Sequence, residues 1–390
     1  MIYCKPMSKT ILQVIPELQT GGAERTVLEM AQAIIAAGGH AIVFTNGGRM
    51  ETELAAMGGI IIHANAKSKN PFVILKTNVD KLVKIIKEHK VDIVHARSRA
   101  PAISAYLAAK KCKVPFVTTY HGIYKAKNPI KRFYNGIMTK GDIVIANSEF
   151  TKAHLLAEHK IDPDKVKVIY RGVDFSRFAP EMITEDRRQK MISSWKFNLD
   201  DSLPKILLPA RITAWKGQDT LIEAANILGQ KNIFAHYILA GDAQGRNEYV
   251  AQLQTKIRSF GLEDHVHLVG HCDDVPAATA ICDIVTTPSI EPEAFGRTAA
   301  EAQAMGRPVI AANHGGAREV VVHGETGFLI EPANANELAH WIAYLIEIGK
   351  AGRAKIGMAG KARVQNMFTT ASLQAKTLQI YDELISDKHA

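Results

Sequence analysis

Residues 288–310 read PSIEPEAFGRTAAEAQAMGRPVI, and they follow the short apolar run Ile284–Thr287. This order fits a buried strand, a loop, a helix that begins near Arg297, a stop at Gly306 and a second strand. Continuous apolar strands that alternate with helices are typical of parallel sheets covered on both faces. The stretch therefore predicts one β-α-β unit of a doubly wound domain.

The same alternation runs through the rest of the chain on both sides of a polar stretch, residues 182–202, which has no strand pattern. At 390 residues the chain is too long for one ordinary core. We predict two α/β domains, residues 1–180 and 181–370, and an amphipathic helix in residues 371–390 that packs on either domain, with the first favoured. The predicted strands are Ile11–Ile15, Ala41–Thr45, Val91–His95, Phe116–Tyr120 and Asp142–Ala146, then Ile206–Ala210, Phe234–Ala240, Val266–Val269, Ile284–Thr287 and Val309–Ala312.

Composition favours a cytosolic globular protein. Apolar residues make up 47% of the chain and charged residues 22%. No run of about 18 uncharged apolar residues is present, and the first residues lack the apolar core and cleavage site of a signal peptide. The four cysteines lie far apart, which argues against a disulfide framework and a zinc site.

The net charge is +9, and part of this excess is local to two stretches. Two interpretations remain open: attraction to an anionic acceptor or to the anionic inner face of the plasma membrane, and ordinary solvated helix faces. Nucleic acid is not an expected partner, because no nucleic-acid-binding motif accompanies the charge. The cations are Lys67, Lys69, Lys76, Lys81, Lys84, Lys87 and Lys90 in the first stretch, and Lys125, Lys127, Lys131 and Arg132 in the second.

Candidate site residues follow predicted strands, because ligands of parallel sheets bind at the carboxyl ends of strands. Gly21 and Gly22 open a helix after the first strand, where the backbone can approach an anion closely. They do not form a G-x-G-x-x-G fingerprint, so a dinucleotide is not predicted. His121 follows Phe116–Tyr120 and can exchange hydrogen bonds with a ligand. Taken alone, the two glycines also fit a tight turn, and a lone histidine is more often structural than functional.

Two cations and two glutamates complete the candidate set. Arg211 and Lys216 follow Ile206–Ala210 and can both face one diphosphate, although solvated loop cations remain the alternative. Glu293 lies in a loop, and Glu301 lies about one turn inside the helix that begins near Arg297. Carboxylates accept hydrogen bonds from paired hydroxyls, and a helix N-terminus favours a phosphate. The segment can therefore hold a sugar at one end and a ribose at the other, with phosphates between them.

This segment resembles the Glu-x7-Glu motif of retaining glycosyltransferase family 4, which has the GT-B fold. The resemblance covers nearly the whole chain and implies two Rossmann-like domains that face each other across a cleft. One position departs from the pattern, since Arg171 stands where Asn is usual. The other matching motifs are Gly21-Gly22-Ala23-Glu24, Thr119-Tyr120-His121-Gly122, Val168–Asp174, Arg211 with Lys216, His314-Gly315-Gly316 and Gly324–Gly327.

The resemblance also implies a role for each matching residue. Glu301 is expected to bind the ribose, and Glu293 the donor sugar and its developing charge. His121 is expected near the reacting carbon, and Gly22, with Gly21, near the phosphates. The remaining expectations are Ala294, Phe295 and Gly296 lining the sugar through their backbone, Arg297 and Thr298 beside the phosphates, Arg211 and Lys216 holding the diphosphate, and Gly270 and His271 at the base.

The mechanism that the resemblance implies is transfer with retained anomeric configuration and without a covalent intermediate, metal or cofactor. Residues 162–164 read Asp-Pro-Asp and superficially match the Asp-x-Asp metal motif of the other major glycosyltransferase fold. They precede the apolar run Val166–Tyr170 and contain proline, so we interpret them as a turn.

The run from Pro292 to Gly306 is similar to that of bacterial lipopolysaccharide-core mannosyltransferases. This similarity favours GDP-mannose as the donor and a lipid-linked or lipopolysaccharide-core acceptor. A UDP-sugar enzyme of another glycan pathway, a nucleotide-sugar 2-epimerase and a non-catalytic partner subunit are the alternatives. The last is disfavoured because both cations and both glutamates are present.

Overall fold

The computed structural model describes residues 9–19, 21–124, 128–195, 197 and 203–389. Lys125 and Lys127 of the second basic stretch lie outside these residues. The chain divides into two compact units, one that runs to Tyr170 and resumes at Ala371, and one that spans Arg171–Thr370. In its described part, no helix is both long enough and apolar enough to cross a membrane.

The described residues of the first unit form a seven-stranded sheet in which every pair is parallel. Strands β1 to β7 are Thr10–Val14, His40–Thr45, Ile60–His63, Ile93–Ala96, Phe116–Tyr120, Ile143–Ala146 and Val166–Val168. Helices α1 to α6 are Gly22–Ala36, Glu51–Ala56, Asn78–Glu88, Arg99–Cys112, Pro129–Asn135 and Glu149–Glu158. The strand order is β3-β2-β1-β4-β5-β6-β7. Strand β3 was not predicted; it is a four-residue strand at the edge of the sheet and is half exposed.

The described residues of the second unit form a six-stranded parallel sheet. Strands β8 to β13 are Lys205–Pro209, His236–Ala240, Val266–Gly270, Ile284–Thr287, Val309–Ala312 and Gly327–Ile330. The strand order is β10-β9-β8-β11-β12-β13. Helices α7 to α14 are Glu185–Ser194, Gln218–Gly229, Asn247–Ser259, Val275–Ile281, Arg297–Ala304, Ala317–Val320, Ala335–Glu347 and Gly349–Met367. The prediction of two doubly wound parallel sheets is confirmed.

Each sheet has one point where the order of the strands reverses. In the first sheet β1 lies between β2 and β4, and in the second sheet β8 lies between β9 and β11. In open parallel sheets a crevice forms at the carboxyl ends of such a strand pair, and ligands bind there. In the second unit this crevice lies where the chain leaves β8 and β11, the strands that precede Lys216 and Glu293.

The boundary between the units falls ten residues before the predicted position of 180. The reason is a pair of backbone hydrogen bonds within the second unit: the Val173 amide donates to Phe368 (2.8 Å), and the Thr370 amide donates to Val173 (3.1 Å). The last helix, α15 (Thr370–His389), packs against the first unit, where Leu373, Ile380 and Tyr381 join the core formed with α1.

Candidate active site

Lys216 and Glu293 form an ion pair at the crevice of the second sheet, with 2.6 Å between Nζ and Oε1. A tight backbone approach brings the two loops together. Gly217 has φ +78°, and a Cβ there would lie 2.0 Å from the carbonyl oxygen of Pro288. Only glycine fits this position, so the loop after β8 can lie directly against the loop after β11.

Glu293 is held by two donors. Besides Lys216, the hydroxyl of Ser289 donates to its Oε1 over 2.5 Å. Burial by itself raises the pKa of Glu293, but the charge and hydrogen bond of Lys216, with the Ser289 bond, outweigh it. The pKa therefore lies below its ordinary value, and Glu293 is a carboxylate at neutral pH.

Three supporting residues were not among the predicted site residues. Ser289 follows β11 after one proline, and the ring of His314, which follows β12, lies with Nε2 2.7 Å from the Ser289 carbonyl oxygen. Trp215 places its ring 4.3 Å from the Lys216 ammonium. The signal that could have revealed Ser289 and His314 is their position at the carboxyl ends of strands, the same signal that marked Glu293.

Gly296 is the N-cap residue of helix α11, and its φ of +89° is in the left-handed region that glycine adopts most easily. Gly296 offers no side chain to cap the helix. The first amide groups of a helix have no partner within it and carry partial positive charge. The N-terminus of α11 therefore follows the Glu293 loop directly and favours an anion.

Arg297 and Glu301 pair with each other one turn apart, with 2.7 Å between Nε and Oε1. Their side chains are only 24% and 15% exposed, so in the pair each side chain limits the access of a ligand to the other. Phe295 is buried against Phe368, which leaves its backbone as the part that can meet a ligand. Ala294 and Thr298 flank this loop and are half-buried.

The other predicted residues of the second unit lie at the same edge of the sheet but are less constrained. The Arg211 side chain is exposed and lies 3.5 Å from Gln244, while its carbonyl accepts a 2.9 Å hydrogen bond from Gln218. Gly270 ends β10, and His271 beside it is exposed and paired with Asp273 at 2.9 Å. Strand β10 lies two strands from β8, so this position is more peripheral.

Three predicted residues belong to the first unit. Gly21 precedes α1 and Gly22 begins it. His121 follows β5, and its carbonyl oxygen accepts a 3.4 Å hydrogen bond from the buried side chain of Asn147. The interpretation of residues 162–164 as a turn is confirmed, because Asp162 accepts from the amide of Asp164 in a single 3-10 turn. Within the described ranges, no three His, Cys, Asp or Glu side chains converge to hold a metal ion.

Comparison with known proteins supports a single family. The family model "Glycosyltransferase Family 4" matches residues 20–177, and the model "Glycosyl transferases group 1" matches residues 189–363. The crystal structure of a glycosyltransferase from Rickettsia africae is 40% identical, with a TM-score of 0.89 over 97% of this chain and 99% of that one. The structure of Anabaena HepE in complex with UDP and glucose is 27% identical, with a TM-score of 0.81 over 95% and 99%.

A curated relative supplies a more specific name. The GDP-mannose-dependent alpha-(1-6)-phosphatidylinositol monomannoside mannosyltransferase of Mycobacterium tuberculosis is 29% identical over 53% of this chain and 52% of its own length. The chain spans about half the length of the curated relatives it matches. Both halves match family models, and the 40% identical structure aligns with this chain over 97% of its length. The chain therefore belongs to glycosyltransferase family 4 and has the GT-B fold.

Proposed function

We propose that the protein is a retaining hexosyltransferase that moves a hexose from a nucleotide sugar to an acceptor hydroxyl. The observation that carries this proposal is the Lys216–Glu293 pair, which lies where β8 and β11 end and directly before the N-terminus of α11. A cation, a carboxylate and a helix N-terminus in one crevice match a diphosphate linked to a polyhydroxyl group.

Lys216, Arg211 and the start of α11 bind the diphosphate in this proposal. Negative charge on the leaving group grows as the glycosidic bond breaks, and fixed cations and amides stabilise that charge most in the transition state. Arg297 and Thr298, in the first turn of α11, lie by the phosphates. The charge is handled without a metal ion or cofactor.

Glu293 binds donor-sugar hydroxyls and stabilises the oxocarbenium-like charge, while Glu301 accepts hydrogen bonds from the ribose. When the donor binds, its sugar hydroxyls replace Lys216 as the partner of Glu293. Its ribose hydroxyls replace Arg297 as the partner of Glu301. The backbones of Ala294, Phe295 and Gly296 line the sugar. In this proposal His121 contacts the donor sugar and Gly22 approaches the phosphates, while Gly270 and His271 of the second unit contact the base. The acceptor hydroxyl attacks the face from which the diphosphate leaves, and its proton passes to the departing phosphate oxygen.

The preferred donor in this proposal is GDP-mannose. The similarity to the GDP-mannose-dependent mycobacterial enzyme supports it. The second candidate is a UDP-sugar, which the similarity to Anabaena HepE, solved with UDP and glucose, supports at a comparable level of identity.

The proposed acceptor is an anionic glycolipid or lipopolysaccharide core at the inner face of the plasma membrane. Phe72 and Leu75, in the turn that leads into α3, keep 67% and 55% of their exposure. Exposed Lys69 and Lys87 lie in the same stretch, and apolar side chains among lysines are typical of a surface that contacts anionic lipid. Pairing reduces the positive charge, since Lys67 and Lys76 have carboxylate partners 2.9 and 2.8 Å away.

The test is incubation of the full chain with GDP-, UDP- and ADP-sugars and a membrane-lipid extract, followed by mass spectrometry. Release of nucleoside diphosphate with a glycosylated lipid is expected, and GDP-mannose should give the largest yield. Activity should persist in EDTA. Loss in EDTA with rescue by Mg²⁺ or Mn²⁺ would contradict the metal-free mechanism but leave transfer intact.

Two outcomes would contradict the proposal itself. Interconversion of donor sugars without transfer would indicate an epimerase. Absence of binding to every nucleotide sugar would indicate a non-catalytic subunit.

A further inference from the structure

A row of polar side chains crosses the face of the first sheet that α1 and α15 cover. Gln13 of β1 lies beside His95 of β4 in the register of the sheet. Arg97, two residues further along, lies on the same face as His95, because side chains alternate along a strand. On β5 the same alternation places Thr119 and His121 on one face. The row therefore lies at the crevice of the first sheet and leads toward His121.

Hydrogen bonds join the row from α15 to β5. The ring of His95 lies with Nδ1 2.6 Å from the Tyr381 hydroxyl and with Nε2 2.7 Å from the Thr119 hydroxyl. Arg97 donates to Oε1 of Gln13 through Nε (2.9 Å) and Nη2 (2.6 Å), and to Thr119 through Nη1 (3.4 Å). The Thr119 hydroxyl is thus the point where the His95 and Arg97 branches meet, two residues before His121.

All five residues are buried, with at most 4% exposure, and one of them is a permanent cation. Buried polar and charged groups are unfavourable compared with a packed apolar face, so stability alone does not explain the row. The earlier part of this face, with Ile11, Ile93 and Val117, is apolar. The polar groups appear only where the strands reach their carboxyl ends.

The protonation state of the His95 ring gives this row of hydrogen bonds a direction. Burial, together with the nearby charge of Arg97, holds the pKa of His95 well below its usual range, so the ring is neutral. A neutral imidazole donates at one nitrogen and accepts at the other. The orientation of the Tyr381 hydroxyl therefore fixes the orientation of the Thr119 hydroxyl.

We propose that Tyr381 and His95 are positioning residues, through which α15 sets the position of the end of β5 and hence of His121. This inference rests on the proposed function, in which His121 contacts the donor sugar. Tyr381 touches no substrate and acts only through His95 and Thr119. The last helix is then a part of the active-site support and not merely a cover for the core.

The test replaces Tyr381→Phe, which removes one oxygen and retains the ring. Transfer should fall about tenfold in kcat while the donor KM changes by less than about twofold, because a shifted group loses alignment more than affinity. In a His95→Leu background the same replacement should cause no further loss. The matched control is Gln374→Met, which removes the 2.7 Å hydrogen bond from α15 to the Glu29 carbonyl but leaves the row intact.

A second pair of variants tests the same role independently, in case Tyr381→Phe fails to fold. Thr119→Val should reproduce the loss in kcat, and Thr119→Ser, which keeps the hydroxyl, should restore it. Equal losses in Tyr381→Phe and Gln374→Met, or full activity in Tyr381→Phe, would overturn the positioning role. Absence of transfer by the unaltered chain would instead overturn the proposed function, so the two failures are distinguishable.

Discussion

At the scale of single residues, the site is formed by groups that neutralise one another. Lys216 pairs with Glu293, and Arg297 pairs with Glu301. Each pair couples a group expected to bind phosphate with one expected to bind hydroxyls. A nucleotide sugar offers phosphates to the cation and hydroxyls to the carboxylate of each pair. No buried ion is therefore left unpaired, whether the site is empty or occupied.

Replacement of Lys216→Ala should lower kcat on the order of 10²-fold or more, because one electrostatic contact to the leaving diphosphate is lost. Steady-state transfer assays at saturating donor measure this. Lys350→Ala, an exposed lysine of the same unit, is the control and should retain full activity. A rate for Lys216→Ala near that of the control would remove Lys216 from the diphosphate role.

Glu293 and Glu301 should respond differently to the same change. Glu293→Gln should mainly lower kcat, because the charge that stabilises the transition state disappears. Glu301→Gln should mainly weaken donor binding, because a ribose contact is made equally in the ground state. Calorimetric donor affinity and kcat are the two measurements, and identical profiles for the two variants would contradict the division of roles.

At the scale of elements, the polar stretch between the two predicted domains contains a helix, α7. Helix α7 buries few apolar residues, but Arg187 donates two hydrogen bonds to Asp274 (2.9 and 2.7 Å), whose Oδ1 also caps α10. The sequence did not predict this attachment, because it joins residues 87 positions apart. Charge-rich sequence without apolar periodicity gives no local sign of such a contact.

Asp274→Ala should lower the free energy of unfolding of the second unit by about 1 kcal/mol or more through loss of the cap, while Asp274→Asn keeps the cap and loses only the ion pair. The Arg187 hydrogen bond lowers the pKa of Asp274 below its ordinary value. A lowered folded-state pKa gives stability that is present above the unfolded pKa of about 3.9 and is lost as pH falls through the folded pKa.

Urea unfolding of the unaltered chain and both variants at pH 7 and below pH 4 measures these effects. The advantage of the unaltered chain over Asp274→Asn should shrink at the lower pH. A difference that is independent of pH would contradict the ion-pair contribution.

At the scale of the whole molecule, each unit has its own parallel sheet, and the last helix returns to the first unit. The positive charge and the exposed Phe72 and Leu75 belong to the first unit, while the Lys216–Glu293 site belongs to the second. In the proposed function, lipid contact therefore belongs to the first unit, and the diphosphate and sugar contacts of Lys216 and Glu293 belong to the second.

The full chain should float with vesicles that contain anionic phosphatidylglycerol and not with neutral phosphatidylcholine vesicles, and added salt should weaken the association. The double replacement Phe72→Ser with Leu75→Ser should reduce the floating fraction. Met358→Ser, which alters a 61% exposed residue of the second unit, is the control. Failure to float at low salt would reduce the basic stretches to solvated helix faces.

The sequence by itself determined the class of fold and predicted a set of candidate site residues. Continuous apolar runs specify buried parallel strands, and the strand ends in such sheets gather at one edge, so candidate site residues are expected after strands. Gly296, Glu293 and Lys216 are predicted in this way because the signal is local in the chain.

Only the tertiary structure decided which groups pair and which support them. The contacts of Glu293 with Lys216, of Tyr381 with His95 and of Arg187 with Asp274 join residues 77, 286 and 87 positions apart. Side-chain pairing depends on strand order, on the register of neighbouring strands and on where α15 packs. Periodicity reports the burial of a residue but not its partner, so these pairings follow from packing and not from any local pattern.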